Sequence, residues 1–224
     1  GQPLAQYWLA TILARPGGAH SDPVQAIQWY EQAAKRGNRM AMNALAIGYA
    51  QGDGVELDMR HAAYWFGQAA KFGDAEAQFN LGQLYEHGRG VPKDYAEALR
   101  WYRLAAEQGD PFAQFDLDSH YSEGIGVPKN EKEALRWWQP AAAQGFPPAQ
   151  HSLGKVLARG EQGVLPDKVQ AYVWFALSAA QGNEEARQER DALAKQLTPD
   201  QVTKAKQLIK QWKPVNTVVT KRPQ

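Results

Sequence analysis

A single spacing of 36 residues constrains this chain more than any other feature. Ala5, Ala41, Ala77, Ala113 and Ala149 fall on it, as do Gly37, Gly73, Gly109 and Gly145, with Gly182 one residue late. Tryptophan keeps the same register at Trp29, Trp65, Trp101, Trp137 and, after a one-residue insertion near 161–164, Trp174. A period of this length marks a stack of small units, none of which buries its apolar face alone.

The third unit shows what each one is. Ala77, Leu81, Leu84 and Tyr85 sit at i, i+4, i+7 and i+8, a single helical stripe that predicts a first helix of about 13 residues. Asp74 precedes it as N-cap, and Asn38, Asp110 and Asn183 hold that place elsewhere, each offering an oxygen to an orphan backbone N–H. The helix should end at Gly88-Arg89-Gly90-Val91-Pro92, where glycine accepts a left-handed turn and proline resists continuation. A second helix starts at Asp94 with the capping-box pattern Asp94-x-x-Glu97, echoed by Asn130-x-x-Glu133, Asp22-x-x-Gln25 and Asp167-x-x-Gln170. Its apolar positions, Ala98, Leu99, Trp101, Tyr102, Ala105 and Ala106, form a stripe too wide for one neighbour, so it must pack on its own first helix and on the next unit. The Trp29-to-Trp174 column reads as core.

Two places depart from the pattern. Pro140 lies inside a second helix and should kink or shorten it. Phe146-Pro147-Pro148 replaces the usual cap, so the fifth first helix should begin at a proline. After Gly182, residues 183–197 predict one more helix, and Thr198-Pro199-Asp200-Gln201 caps another ending near Trp212; these read as capping helices over 183–213, with 214–224 as a flexible tail.

Residues 75–94, Ala-x-Ala-Gln-Phe-Asn-Leu-Gly-Gln-Leu-Tyr-Glu-x-Gly-x-Gly-Val-Pro-Lys-Asp, followed by Ala98-Leu99-Arg100-Trp101-Tyr102 and Ala105-Ala106-x-x-Gly109, resemble the Sel-one-like repeat, a branch of the tetratricopeptide-like repeats. The resemblance covers 4–182, and implies an all-α, right-handed superhelical α/α solenoid of about five two-helix repeats with first helices on the concave side. It also implies an adaptor or scaffold role, often in bacterial envelopes, which makes a periplasmic or cell-envelope location the expectation and the cytoplasm the alternative. The chain enters a first helix almost at once, which leaves room for upstream repeats, a leader or a lipid anchor beyond it.

Chemistry is sparse by comparison. With no cysteine there is no thiol nucleophile and no thiolate metal site. No phosphate loop, His-Glu-x-x-His or Gly-x-Ser-x-Gly elbow is present, so no catalytic residue, resident metal or cofactor is expected and the chain reads as a non-enzyme. No apolar run approaches the ~18 residues of a spanning helix. Twenty-five basic and 24 acidic side chains leave a net charge of +1, which gives no nucleic-acid signature. Residues 198–224 carry +5, mostly from lysines on or just past the last helix, where they oppose its dipole.

Of five histidines, His20 and His61 fall at second-helix starts, and only His87, His120 and His151, on first helices, could converge. The sharpest anomaly is Asp116-Leu117-Asp118-Ser119-His120, where the repeat expects glycine at 118 and leucine at 120. Asp116 and His120 share a helix face; a hydrogen-bonded pair in a degenerate repeat is the plain reading, and a metal pair is the sharper alternative.

Outside the core stripe the first helices carry columns that vary from repeat to repeat. One runs Tyr7, Asn43, Phe79, Phe115, His151; the next runs Trp8, Ala44, Asn80, Asp116, Ser152; a third runs Thr11, Ile47, Gln83, Ser119, Lys155. A solvated face would be mostly lysine and glutamate, whereas aromatics and amides suit recognition of a protein segment. The expected partner-binding groove therefore comprises Tyr7, Trp8, Asn43, Phe79, Asn80, Gln83, His87, Phe115, Asp116, Ser119, His151 and Lys155, with Phe79 and Phe115 as paired anchors. Two alternatives stay open: these rings pack between repeats, or Trp8, Phe79, Phe115 and Asp116 contact an envelope polysaccharide or peptidoglycan.

Overall fold

The computed structural model describes residues 2–160 and 164–215. Residues 161–163, where most of the span of the expected one-residue insertion falls, and most of the expected tail, 216–224, lie outside them. Among the described residues there are twelve helices and no strand. The repeats supply α1 (Pro3–Leu13) and α2 (Pro23–Lys35), α3 (Arg39–Gln51) and α4 (Met59–Lys71), α5 (Ala75–His87) and α6 (Tyr95–Glu107), α7 (Pro111–Glu123) and α8 (Glu131–Ala143), and α9 (Pro147–Arg159) and α10 (Lys168–Ala179). Two more follow, α11 (Glu184–Ala194) and α12 (Pro199–Gln211). The chain forms two compact units, Gly1–Gln108 and Gly109–Gln224.

Local chemistry accounts for the boundaries. Asn38, Asp74, Asp110 and Asn183 each accept a backbone N–H three residues on, at 2.8–3.0 Å. Asp58, Asp94 and Asp167 cap second helices through two backbone donors each. The reciprocal box is made at Thr198 and Gln201. Gly88 closes α5 at φ +67 in the left-handed region. Gly90, at φ +71, has a second reason to lack a side chain: a Cβ there would lie 2.0 Å from the Met59 carbonyl oxygen, so the loop after α5 seats directly on the start of α4.

Within the first unit, α2 through α5 each pack on the helix before and after, as the wide apolar stripe of the second helices requires. Fully enclosed alanines, Ala33, Ala41, Ala62, Ala69 and Ala77, let helices approach closely around the rings. A second column of enclosed rings runs along the second helices, Tyr30, Phe66, Tyr102, Trp138 and Phe175, each no more than 8% exposed. Trp101 and Trp137 are buried as expected for core, while Trp29, Trp65 and Trp174 are half-buried. Trp101 also carries the Arg100 guanidinium 4.5 Å from its ring centre.

In the second unit, α9 packs on α8 and α10, and α10 carries both α11 and α12. The latter covers Val173 and Leu177 with Ala205, Leu208, Ile209 and Trp212, and the Trp212 ring meets Trp174 edge-on at 6.4 Å. The fifth first helix does begin at Pro147, with Phe146 at the cap position and no side-chain cap bond. Of the two effects expected of Pro140, shortening is absent: α8 keeps 13 residues. The proline opens the last turn, Gln144 N still bonds the Pro140 carbonyl at 3.0 Å, and the enclosed Ala141 and Ala142 hold that turn against the core.

Candidate functional site

Successive first helices leave clefts between them that are floored by the enclosed ring of a second helix. In the first unit a cleft of about 340 Å³ between α3 and α5 is lined by Ile47, Gln51, Asn80, Gln83, His87 and Arg89, with Phe66 and Met59 beneath. In the second unit a cleft of about 260 Å³ between α7 and α9 is lined by Phe115, Asp118, Ser119, Ser122, Glu123, Ser152, Lys155 and Arg159, with Trp138 beneath. The two linings correspond position by position, two repeats apart: Ile47 to Ser119, Gln51 to Glu123, Asn80 to Ser152, Gln83 to Lys155, His87 to Arg159 and Phe66 to Trp138. A smaller cleft of about 160 Å³ between α9 and α11 repeats the arrangement once more, over Phe175, with Lys155, Glu189, Leu193 and Gln196 on its walls. One geometry thus recurs with different chemistry: apolar and amide with His87 and Arg89 between α3 and α5, hydroxyl and charged between α7 and α9.

The expected groove residues divide accordingly. Asn80, Gln83 and His87 line the first cleft, and Phe115, Ser119 and Lys155 line the second. Tyr7 and Trp8 lie on α1 outside these clefts, their rings edge-on at 5.2 Å and Trp8 55% exposed. Asp116 is half-buried.

Three residues offer far less surface than the sequence suggested. Phe79 is 5% exposed because its ring packs on Tyr102 at 5.6 Å, so it is core and cannot serve as an anchor or a stacking platform. Asn43 is buried with its amide nitrogen donating to Glu76 at 3.1 Å. His151 is 8% exposed, with Nε2 2.8 Å from Glu189 Oε2. The paired-anchor reading therefore falls: Phe79 is covered, and Phe115 packs edge-on against Phe146 at 5.6 Å.

The anomalous segment resolves residue by residue. His120 is enclosed, and its Nδ1 lies 2.8 Å from the Ile125 carbonyl; a carbonyl only accepts, so Nδ1 carries the proton and the ring braces the loop after α7. Asp118 is the residue that sequence reasoning underused. Burial, with a smaller push from Glu123, raises its carboxyl to about 7. The signal was present in sequence, since the same column otherwise reads Ala10, Ala46, Gly82 and Gly154.

The nearest approach to a metal-ligand set among the described residues is His151, Glu185 and Glu189, with ligand atoms within 4.8 Å of one another. Those glutamates lie on α11, beyond the repeats in which the sequence pattern was sought. His61 is a local matter: its Nδ1, 2.7 Å from Asp58, holds that exposed carboxyl below the ordinary range. No described helix is long and apolar enough to cross a membrane.

The family described as Sel1 repeat matches residues 3–38, 39–74, 75–110, 111–146 and 147–183. No curated protein matches the chain. Among solved structures, the chain is 31% identical to a Sel1 repeat protein from Oxalobacter formigenes, at a TM-score of 0.80 over 93% of this chain and 87% of that one. It is 32% identical, at a TM-score of 0.79, to a protective antigen present in uropathogenic Escherichia coli strains that displays an SLR fold. That match covers 92% of this chain and 44% of the antigen, so the chain spans less than half of that relative's length. An immunity protein from Pseudomonas aeruginosa, 20% identical with a TM-score of 0.54 over 94% of this chain and 81% of that one, shares the fold. Proteins of this repeat type generally serve as protein-interaction scaffolds.

Proposed function

Because the chain belongs to the Sel1 repeat family, we propose that it is a non-catalytic adaptor that holds extended protein segments in the clefts between its first helices. One observation carries this reading. The clefts recur in register while their linings change, from Ile47, Asn80 and Gln83 to Ser119, Ser152 and Lys155. A constant local geometry with variable lining is how a repeat protein offers pockets of different chemistry to the side chains of protein ligands. The burial of Phe79 removes one of the rings on which a polysaccharide reading relied, although Trp8 stays 55% exposed. An envelope location is the compartment we favour, supported by the similarity to a protective antigen of pathogenic bacteria.

Site-specific photocrosslinking in the source cell tests the proposal. A photoreactive residue at Gln83 or Ser119 should capture a defined protein, and one at Arg100, on the exposed side of α6, should not. Capture from Arg100 alone would place the interaction on the second helices and overturn the cleft reading.

A further inference from the structure

This inference rests on the cleft reading above and specifies what one cleft selects. In four repeats the first-helix position beneath the enclosed ring is Ala10, Ala46, Gly82 or Gly154. The space there is tight: a Cβ at Gly82 would come 2.6 Å from the Tyr102 ring, and one at Gly154 2.5 Å from the Phe175 ring. In the fourth repeat the position holds Asp118, and the ring is Trp138. Asp118 is 9% exposed, lines the α7/α9 cleft, and makes no hydrogen bond or ion pair among the described residues. A carboxyl without a protein partner, at a position that elsewhere holds a hydrogen atom or a methyl group, is costly in the free protein, and a ligand that supplies the partner would offset that cost.

The surroundings indicate which partner. The Ser119 and Ser122 hydroxyls donate to the carbonyls of Phe115 and Ser119, both at 3.3 Å, so their oxygens remain as acceptors. Glu123 adds a second carboxylate at the rim of the cleft. Of the cations of α9, Lys155 Nζ is only loosely paired, 3.9 Å from the exposed Glu185 on α11, and Arg159 has its own interaction. From α8 the lining residue is Trp138, which does not titrate and whose buried Nε1–H has no hydrogen-bond partner among the described residues. Around Asp118 the lining is thus rich in acceptors, with the Trp138 Nε1–H on the floor and the α9 cations on the far wall as its donors.

We infer that the α7/α9 cleft receives a basic side chain, an arginine guanidinium before a lysine ammonium, from an extended protein segment, with Asp118 as its buried counter-charge. A guanidinium has five donors and no acceptor, which suits this lining, and it relieves the repulsion between Asp118 and Glu123.

The test uses the full ¹⁵N-labelled chain and three end-blocked alanine pentapeptides whose central residue is arginine, citrulline or glutamate. The Trp138 indole signal is identified with Trp138→Phe, since Phe66 and Phe175 occupy that place in other repeats. The arginine peptide should shift this signal and bind about tenfold tighter at pH 8 than at pH 6, as Asp118 ionises. Asp118→Asn, which keeps shape and removes charge, should weaken it about tenfold or more. Equal binding of the citrulline peptide, preference for the glutamate peptide, or full affinity in Asp118→Asn would each overturn the assignment. If the arginine peptide fails while crosslinks from Ser119 persist, only the basic-side-chain assignment falls; if both fail, the cleft reading falls with it.

Discussion

Gln78 and Gln108, thirty residues apart, meet through their side-chain amides: Gln108 Nε2 donates to Gln78 Oε1 at 2.7 Å, while Gln78 Nε2 donates to the Ala70 carbonyl at 3.1 Å. The ends of α4 and α6 are thereby tied to the start of α5. The link recurs between Gln114 and Gln144, between Gln150 and Gln181, each at 3.0 Å, and as Gln6 with Arg36 at 3.3 Å. In the second repeat both positions turn apolar together, as Met42 and Phe72. That covariation has a physical reason, because removing one partner strands a buried polar group whereas replacing both does not.

Gln108→Ala should therefore destabilise the protein by about 1–3 kcal/mol, by leaving the buried Gln78 amide without its donor. Combined with Gln78→Met, the cost should be less than the sum of the single changes, and a double-mutant cycle by chemical denaturation measures the difference. Strict additivity would show that the two amides act independently.

Asp118 makes stability depend on pH in an unusual direction for a carboxylate. Its folded-state pKa, raised to about 7, exceeds the ordinary 3.8, so the folded protein binds the proton more tightly than the unfolded chain. That contribution is complete below about pH 4, is lost as pH rises toward 7, and then levels off, with a total on the order of a few kcal/mol. Asp118→Ala, which restores the residue of the first two repeats, should melt higher than wild type at pH 8 and lack this slope. Parallel melting curves from pH 4 to 8 for the two proteins would contradict the buried, unpartnered state of the carboxyl.

Gly90 and Gly73 separate two costs of a side chain in the left-handed region. Gly73→Ala, at φ +79 with nothing within 4 Å of the added carbon, should lose only the ~1–2 kcal/mol of backbone strain. Gly90→Ala adds the collision with the Met59 carbonyl and should lose clearly more. Equal melting temperatures would mean that the loop moves off α4 freely.

Deleting 199–224 should uncover Val173 and Leu177 on α10, and the exposed apolar end should drive self-association visible by light scattering. A truncated protein that stays monomeric with unchanged melting would show that α12 is no cap.

The repeat, its helices and their ends were legible in the sequence because each depends on neighbours a few residues away. The 3.6-residue stripe, the aspartate that bonds a backbone N–H three residues on, and the glycine that turns the chain are all local causes. Even the proline start of α9 followed from them. Which side of the varying columns is open was another matter. Phe79 and Gln83 stand one turn apart on α5, yet Tyr102 of α6 covers the first and leaves the second on a cleft wall. His151 was absorbed by Glu189, 38 residues away. The meaning of Asp118 likewise depends on Trp138 and the α7/α9 cleft, so sequence marked it as an oddity among alanines and glycines while only packing made it a buried, unpartnered acid. Local periodicity is written in spacing along the chain, but burial and free valence are set by side chains that arrive from other helices, and their arrival is decided only when the helices pack.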